Sequence, residues 1–459
     1  MTAHLPGPAE YPVLHGWPGS VVLRPWFDRL ALRAIARWYF PLSRAWAAAL
    51  ACGGSPEQFI AITYADGARG RVSADRVRRL IETAAARRAA YDAAQAEWEA
   101  LLFEAPASAP ADLVAAQLRR QSAAQTFMES RRFGLRLHLA HAVPPVRWDI
   151  VGPDDMPARQ QARLVDPAAA FPAPPPQPVA QSHRVPAAHG RVSWLRYVSP
   201  VLGDTAWARV AEPAGSGTDP VPTLIFLHGI AMEPEFWRGT PDLTSGLARQ
   251  GLRVIHPEGP WHGRRRLDGW YGGEPAMGRG PLGLIELFEA WVAEIAALIG
   301  WARQQGGAVA IGGVSLGALT AQLAATAARQ WPASARPDAL FLVTTTGDLV
   351  HMADNGSLLR TIGLPAHMQA AGWDHGGLVR WAPLQEPRGA PAVSAEHIVM
   401  VLGQADDLLP YAGGRDLARR WGIPAANLFV RPQGHFSVSL GLGRAPQPIA
   451  RLVSLLKGD

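Results

Sequence analysis

The second half of the chain predicts an α/β architecture, a mainly parallel, doubly wound sheet of eight strands preceded by a helical N-terminal region. Three observations carry this. Short apolar runs alternate with helical patterns from about residue 190 onward. The stretch before them is broken by prolines, and the stretch before that repeats apolar residues at helical spacing.

The strand candidates are Arg191 to Val198 and Thr205 to Glu212, which read as an antiparallel opening pair, then Thr223–Leu227, Arg253–His256, Ala308–Gly312, Ala339–Thr344, His397–Leu402 and Asn427–Arg431. Between them the longest helical pattern, Ile285 to Gln304, places Leu287, Trp291, Ile295 and Leu298 on one side. Such alternation favours parallel strands joined by right-handed crossovers.

In the N-terminal region, Phe27, Leu30, Ala31, Ala34, Ile35 and Trp38 recur at helical spacing between Trp26 and Trp38, with Arg29, Arg33 and Arg37 on another face. This basic helix has two readings: it lies on an anionic membrane surface, or it packs against the rest of the chain with its arginines in water. Base rates favour the second. Further helices are expected from Ser73, as N-cap, to Phe103 and from Ala111 to Arg132. From Val143 the prolines at 144, 145, 153, 157 and 167 interrupt regular structure, and Phe171 to Pro178 should be extended and polyproline-like. The expected organisation is a helical region at 1–142, a Pro-rich connection at 143–189 and an α/β domain at 190–459.

The bulk numbers agree with a folded chain. Of 459 residues, 48% are apolar and 18% charged, which is too apolar for a disordered protein. The net charge of +6 comes from arginines spread along the whole chain, since Lys457 is the only lysine. With no zinc-finger spacing or aromatic RNA-binding signature, no nucleic-acid partner is expected. Cys52 is the only cysteine, so neither an internal disulfide nor a Cys-based metal site can form. A cytoplasmic location is expected, with peripheral membrane contact through the basic helix as its variant. Met1 to Gly16 lacks the pattern of a signal peptide, and Arg44 interrupts the best candidate for a spanning helix.

The chemistry concentrates in Gly313-Val314-Ser315-Leu316-Gly317, set between the apolar strand ending near Gly312 and an Ala- and Leu-rich helix. A serine on so tight a strand-to-helix turn projects Oγ above the sheet, and the flanking glycines supply room for close backbone. The turn opens a helix, so the Leu316 N–H points where an oxyanion would develop. A serine hydroxyl needs a base, and in this arrangement an acid and then a histidine follow it along the chain. Asp406, just past the strand ending at Leu402, is the chosen acid; Asp407 is the near alternative and Asp348 a more distant one. Of Asp406 and Asp407, one is expected to serve the histidine and the other to cap the following helix. His435, after the last strand, is the expected base. The second oxyanion donor is expected in His228-Gly229-Ile230-Ala231, at the Ile230 N–H, with Gly229 or Ala231 as alternatives and His228 ordering the loop.

Together LHGIA at 227–231, GVSLG at 313–317, GQADDLLP at 403–410 and GHF at 434–436 make residues 190–459 resemble an α/β-hydrolase domain, with the H-G-x form of the oxyanion loop. A fainter likeness to abhydrolase-domain-containing proteins rests on Phe236-Trp237-Arg238 and on the run from Pro257 to Arg264. The N-terminal third resembles no family. The resemblance implies a serine esterase or lipase-like enzyme working through an acyl-enzyme, with a small-molecule or lipid ester as substrate and no metal or cofactor. Amide or peptide cleavage, acyl transfer, and a non-catalytic binding role on the same fold are the rival readings.

Two segments could shape the substrate site. His262 to Gly283 carries Arg264, Trp270 and Tyr271 and reads equally well as a substrate loop or a solvated surface loop; Gly229 is a further candidate contact. The connection at 347–394 is long enough for a lid, with Leu358, Leu359, Ile362, Leu364, Met368 and Trp373 as its apolar underside.

Overall fold

The computed structural model describes residues 4–5, 19, 22–64, 72–106, 108–215, 220–233 and 243–458. Phe236-Trp237-Arg238, on which the fainter likeness partly rests, lies outside the described residues.

One sheet organises the molecule. Its strands are β1 (Ala180–Gln181), β2 (Val185–Ala187), β3 (Gly190–Val198), β4 (Thr205–Pro213), β5 (Thr223–Leu227), β6 (Arg253–Pro257), β7 (Val309–Val314), β8 (Ala339–Val343), β9 (Ile398–Gly403) and β10 (Leu428–Arg431). Their order is β1-β3-β4-β6-β5-β7-β8-β9-β10, with β2 also on β3. From β6 to β10 every pairing is parallel, whereas β4 is antiparallel to both β3 and β6. The expected mainly parallel α/β sheet is thus present, with all eight expected strands.

Among the described residues the count is ten, not eight, because β1 and β2 fold out of the stretch expected to be only a connection. Strands of two and three residues, one containing Pro186, are too short for any alternation to show. The continuous apolar runs of β5, β7, β8 and β9 are buried along their whole length, as parallel strands covered on both faces require. The helix Gly280–Gln304 fully buries Leu287, Trp291, Ile295 and Leu298. It starts earlier than its periodicity suggested because Pro281 sits in the first turn, where a missing N–H costs nothing.

The N-terminal region is helical, with helices at Pro25–Ala34, Phe40–Ala51, Ala74–Glu99 and Pro110–Glu129. The helix expected at 26–38 widens into a π-helical turn at Ile35–Tyr39 and then continues as Phe40–Ala51. That continuation carries no stripe because residues 43–49 are buried on all sides, so periodicity could not mark it. Its central Arg44 is buried too, donating to the Gly269 carbonyl and pairing with Glu274 at 3.3 Å. Ser73 precedes its helix without making the expected side-chain cap.

Arg29, Arg33 and Arg37 face solvent, while Asp28 and Leu32 form the buried side of the first helix. Trp26 and Leu30 remain largely exposed. Trp46 and Phe127 from the N-terminal helices share one continuous core with Trp291 and Leu316, so the region is built into the same interior as the sheet. No described helix is long and apolar enough to cross a membrane.

Candidate active site

Ser315 follows β7 and precedes the helix Leu316–Ala327. Its φ of 56° lies in the left-handed region, a strained conformation for a residue with a side chain. The surrounding sheet imposes it: the Ser315 N–H donates to the Val343 carbonyl of β8 at 3.0 Å. The two motif glycines have one cause. A β-carbon at Gly313 would lie 2.6 Å from the Leu227 carbonyl oxygen, and one at Gly317 only 2.4 Å from it. The end of β5 therefore presses against both shoulders of the turn.

Among the three candidate acids, Asp406 faces the histidine. Its Oδ2 is 2.8 Å from His435 Nδ1, and its Oδ1 accepts the N–H groups of Leu408 and Leu409, each at 3.0 Å. Two backbone donors hold the carboxylate while its other oxygen is left for the imidazole. Both side chains are buried. With the carboxylate as partner, Nδ1 is assigned the proton. Asp407 does not cap the next helix as expected; it accepts the Ser357 hydroxyl at 2.8 Å and so ties down the 347–394 segment. Asp348 caps the helix Leu349–Asn355 through the His351 N–H.

The loop after β5 lies against the serine. A β-carbon at Gly229 would be 3.5 Å from Ser315 Cβ, ordinary contact distance. The Ala231 N–H is already committed to His262 Nε2 at 3.2 Å, which removes Ala231 as an oxyanion donor. The N–H groups of Ile230 and Leu316 have no acceptor among the described residues. His228 and His262 order this loop. Gly259 N–H donates to His228 Nε2 at 2.9 Å, so His228 Nδ1–H donates to the Gly229 carbonyl at 2.8 Å. His262 Nδ1–H likewise donates to the Pro260 carbonyl at 2.9 Å. Burial disfavours the charged form of both rings, pushing His228 down to about 4 and His262 well below the usual histidine range.

A further layer, invisible in the sequence, comes from the N-terminal helices. Tyr39 Oη donates to the Ala231 carbonyl at 3.2 Å, and Arg131 donates to Tyr39 Oη at 2.6 Å. Arg131 also pairs with Glu233 at 2.8 Å. No local pattern could flag residues that meet across such sequence separations.

Ser315, His435, Gly229, Ile230 and Leu316 all line one cavity of about 370 Å³. Its walls are apolar and, among the described residues, hold no Asp, Glu, Lys or Arg. Leu358, Leu359, Leu364 and Met368 of the 347–394 segment line it as expected, whereas Ile362 and Trp373 do not. Trp373 instead donates its indole N–H to the Val151 carbonyl at 2.7 Å.

Three expected substrate contacts lie elsewhere. Arg264 and Trp270 line a separate polar cavity, and Arg264 pairs with Glu258 at 2.7 Å. Tyr271 is fully buried, stacked on Phe40 and bonded to the Pro145 carbonyl at 3.0 Å. Sequence position placed them on the correct rim; side-chain direction, which no spacing encodes in a loop, turned them away.

No family model matches the chain, and no curated protein does. Several solved structures are similar in part. A cold-adapted esterase from an Arctic intertidal metagenomic library shares 18% identity, over 60% of this chain and 97% of its own, with a TM-score of 0.36. The S-formylglutathione hydrolase of Agrobacterium tumefaciens shares 17%, over 59% and 98%, with a TM-score of 0.37. A puromycin-hydrolyzing peptidase of Mycobacterium tuberculosis shares 17%, over 59% and 40%, with a TM-score of 0.42.

Proposed function

We propose that this chain is a serine hydrolase that cleaves uncharged carboxylic esters through an acyl-enzyme, with an apolar acyl group held in the 370 Å³ cavity. The observation that carries the reading is the meeting of Ser315 and His435 in one apolar cavity, with Asp406 2.8 Å behind the imidazole.

In this reading Ser315 Oγ adds to the ester carbonyl carbon while its proton passes to His435 Nε2. The negative charge on the carbonyl oxygen is taken by the N–H groups of Ile230 and Leu316. Collapse breaks the bond to the alcohol, which leaves with the proton from His435. A water then gives a proton to His435 and attacks the acyl carbon; collapse breaks the bond to Ser315 Oγ, which takes that proton back from His435 as the acid is released. Asp406 keeps Nδ1 protonated and stabilises the imidazolium that forms in each half.

The lining argues for the acyl class. Burying apolar surface is favourable at roughly 25 cal/mol per Å², whereas an unpaired charge placed there costs far more. Neutral acyl chains therefore suit these walls and charged ones do not.

The deciding experiment compares wild type with Ser315→Ala using p-nitrophenyl esters and a fluorophosphonate probe. Turnover and labelling should both disappear in the variant while its circular dichroism is unchanged. Labelling that survives the substitution would refute the assignment.

A further inference from the structure

The helix that begins at His435 has no side chain at its N-cap position. It runs His435–Leu440 and is preceded by Gly434, which has no side chain to accept the exposed N–H groups of the first turn. Those groups are instead taken by Asp28, from the N-terminal helix Pro25–Ala34. Asp28 Oδ1 accepts the Phe436 N–H at 2.6 Å and the Ser437 N–H at 3.0 Å, and Oδ2 accepts the Ser437 hydroxyl at 2.5 Å. Ser437 Oγ in turn accepts the Gly434 N–H at 3.0 Å. The carboxylate is only 4% exposed, so water cannot readily replace it in this role.

The glycine fits the same arrangement. Gly434 has extended backbone (φ −94°, ψ −165°), which any residue can adopt, so conformational freedom is not what requires it. Space is: a β-carbon there would lie 2.6 Å from Asp28 Cγ, and the three atoms it would approach most closely all belong to Asp28. The position is open so that a carboxylate from the other end of the chain can reach the helix start.

We propose that Asp28 is a positioning residue for His435: it caps, from the N-terminal region, the helix turn that aims the imidazole. This rests on His435 being the general base. Asp28 does not line the cavity, so it makes no contact with substrate there and acts through the turn that carries His435 and Phe436. His435 is held on one side by Asp406 and from beneath by the turn that Asp28 fixes. A displacement of about 1 Å in a catalytic group can cost on the order of 10²-fold in rate.

The test uses the full-length protein, p-nitrophenyl esters and four variants. Asp28→Ala should lower kcat by about 10- to 100-fold with KM within about 2-fold of wild type. Asp28→Asn, which keeps an acceptor for the two amides, should retain most of kcat. Gly434→Ser alone should be impaired by collision with Asp28. The combined Asp28→Ala, Gly434→Ser protein should recover activity relative to either single change, because the serine supplies a local cap in the space the carboxylate vacates.

The fall in kcat at nearly unchanged KM, in folded Asp28→Ala protein, is what a merely structural role would not produce; the recovery in the combined protein shows that the missing cap is its cause. Wild-type kcat in soluble Asp28→Ala, or no recovery in the combined protein, overturns the proposal. If Asp28→Ala does not fold, the Asp28→Asn and combined proteins decide it in the same way. Failure of wild type itself to turn over esters or to label would instead overturn the underlying hydrolase assignment.

Discussion

Arg131 Nη2 lies 2.8 Å from Glu233 Oε2, joining the helical region to the loop that follows β5 across 102 residues of sequence. The pair is nearly inaccessible to solvent, and Glu233 has a second cation, Arg266, at 3.4 Å. Tyr39 completes the contact by holding the Ala231 carbonyl. The loop carrying Ile230 is thus anchored from outside the sheet that bears it.

Removing one partner of a buried pair leaves an uncompensated charge, which typically costs about 3–5 kcal/mol. Arg131→Ala should therefore lower the thermal midpoint markedly. It should also slow fluorophosphonate labelling, because the loop loses its tie to the helices. Arg266 tempers the loss, so the lower end of that range is expected in denaturant titrations. A variant with unchanged stability and labelling would contradict the anchoring role.

The strain at Ser315 sets stability against activity. A non-glycine residue in this region costs about 1–3 kcal/mol. Ser315→Gly should be inactive yet more stable than wild type by about 1 kcal/mol, whereas Ser315→Ala should be inactive without that gain. Calorimetry on the two inactive proteins checks the difference.

The two adjacent carboxylates should separate cleanly. Asp406→Asn should lower kcat by about 10³- to 10⁴-fold, since the amide cannot support the imidazolium. Asp407→Asn should cost less than about 10-fold, because that side chain holds Ser357 and not the histidine. Steady-state kinetics on both, side by side, reads the assignment directly.

Acid should loosen the loop around Gly229. His228 is neutral when folded down to pH of about 4 but protonates near pH 6.5 once unfolded. The unfolded state therefore binds more protons as pH falls below 6.5, and stability declines until about pH 4, where the penalty levels off. Between pH 7 and 5 this amounts to about 2 kcal/mol, and His262 adds a penalty of the same sign. Unfolding measured across that range should show a shallower slope in His228→Asn than in wild type.

Acyl preference should follow the cavity walls. Each buried methylene is worth about 0.8 kcal/mol, or about 4-fold in kcat/KM, until the space is filled. A p-nitrophenyl ester series of increasing chain length should rise at this rate and then plateau. An ester whose acyl end carries a carboxylate should fall well below its neutral counterpart.

The strands, the Gly313–Gly317 turn, and the strand ends carrying Asp406 and His435 were legible in the sequence because they are local. Apolar runs, helical periodicity and short glycine-bearing turns are set by neighbours within a few residues. The same locality explains what was not legible. Whether Asp406 or Asp407 faces the histidine depends on which carboxylate the Leu408 and Leu409 amides capture. Arg264, Trp270 and Tyr271 sit on the expected segment but point into other surroundings. Above all, Asp28, Tyr39 and Arg131 meet their partners across separations of 92 to 409 residues. Only folding the N-terminal helices into the common core brings those buried polar groups within hydrogen-bond reach, and no short-range pattern can encode a partner so far along the chain.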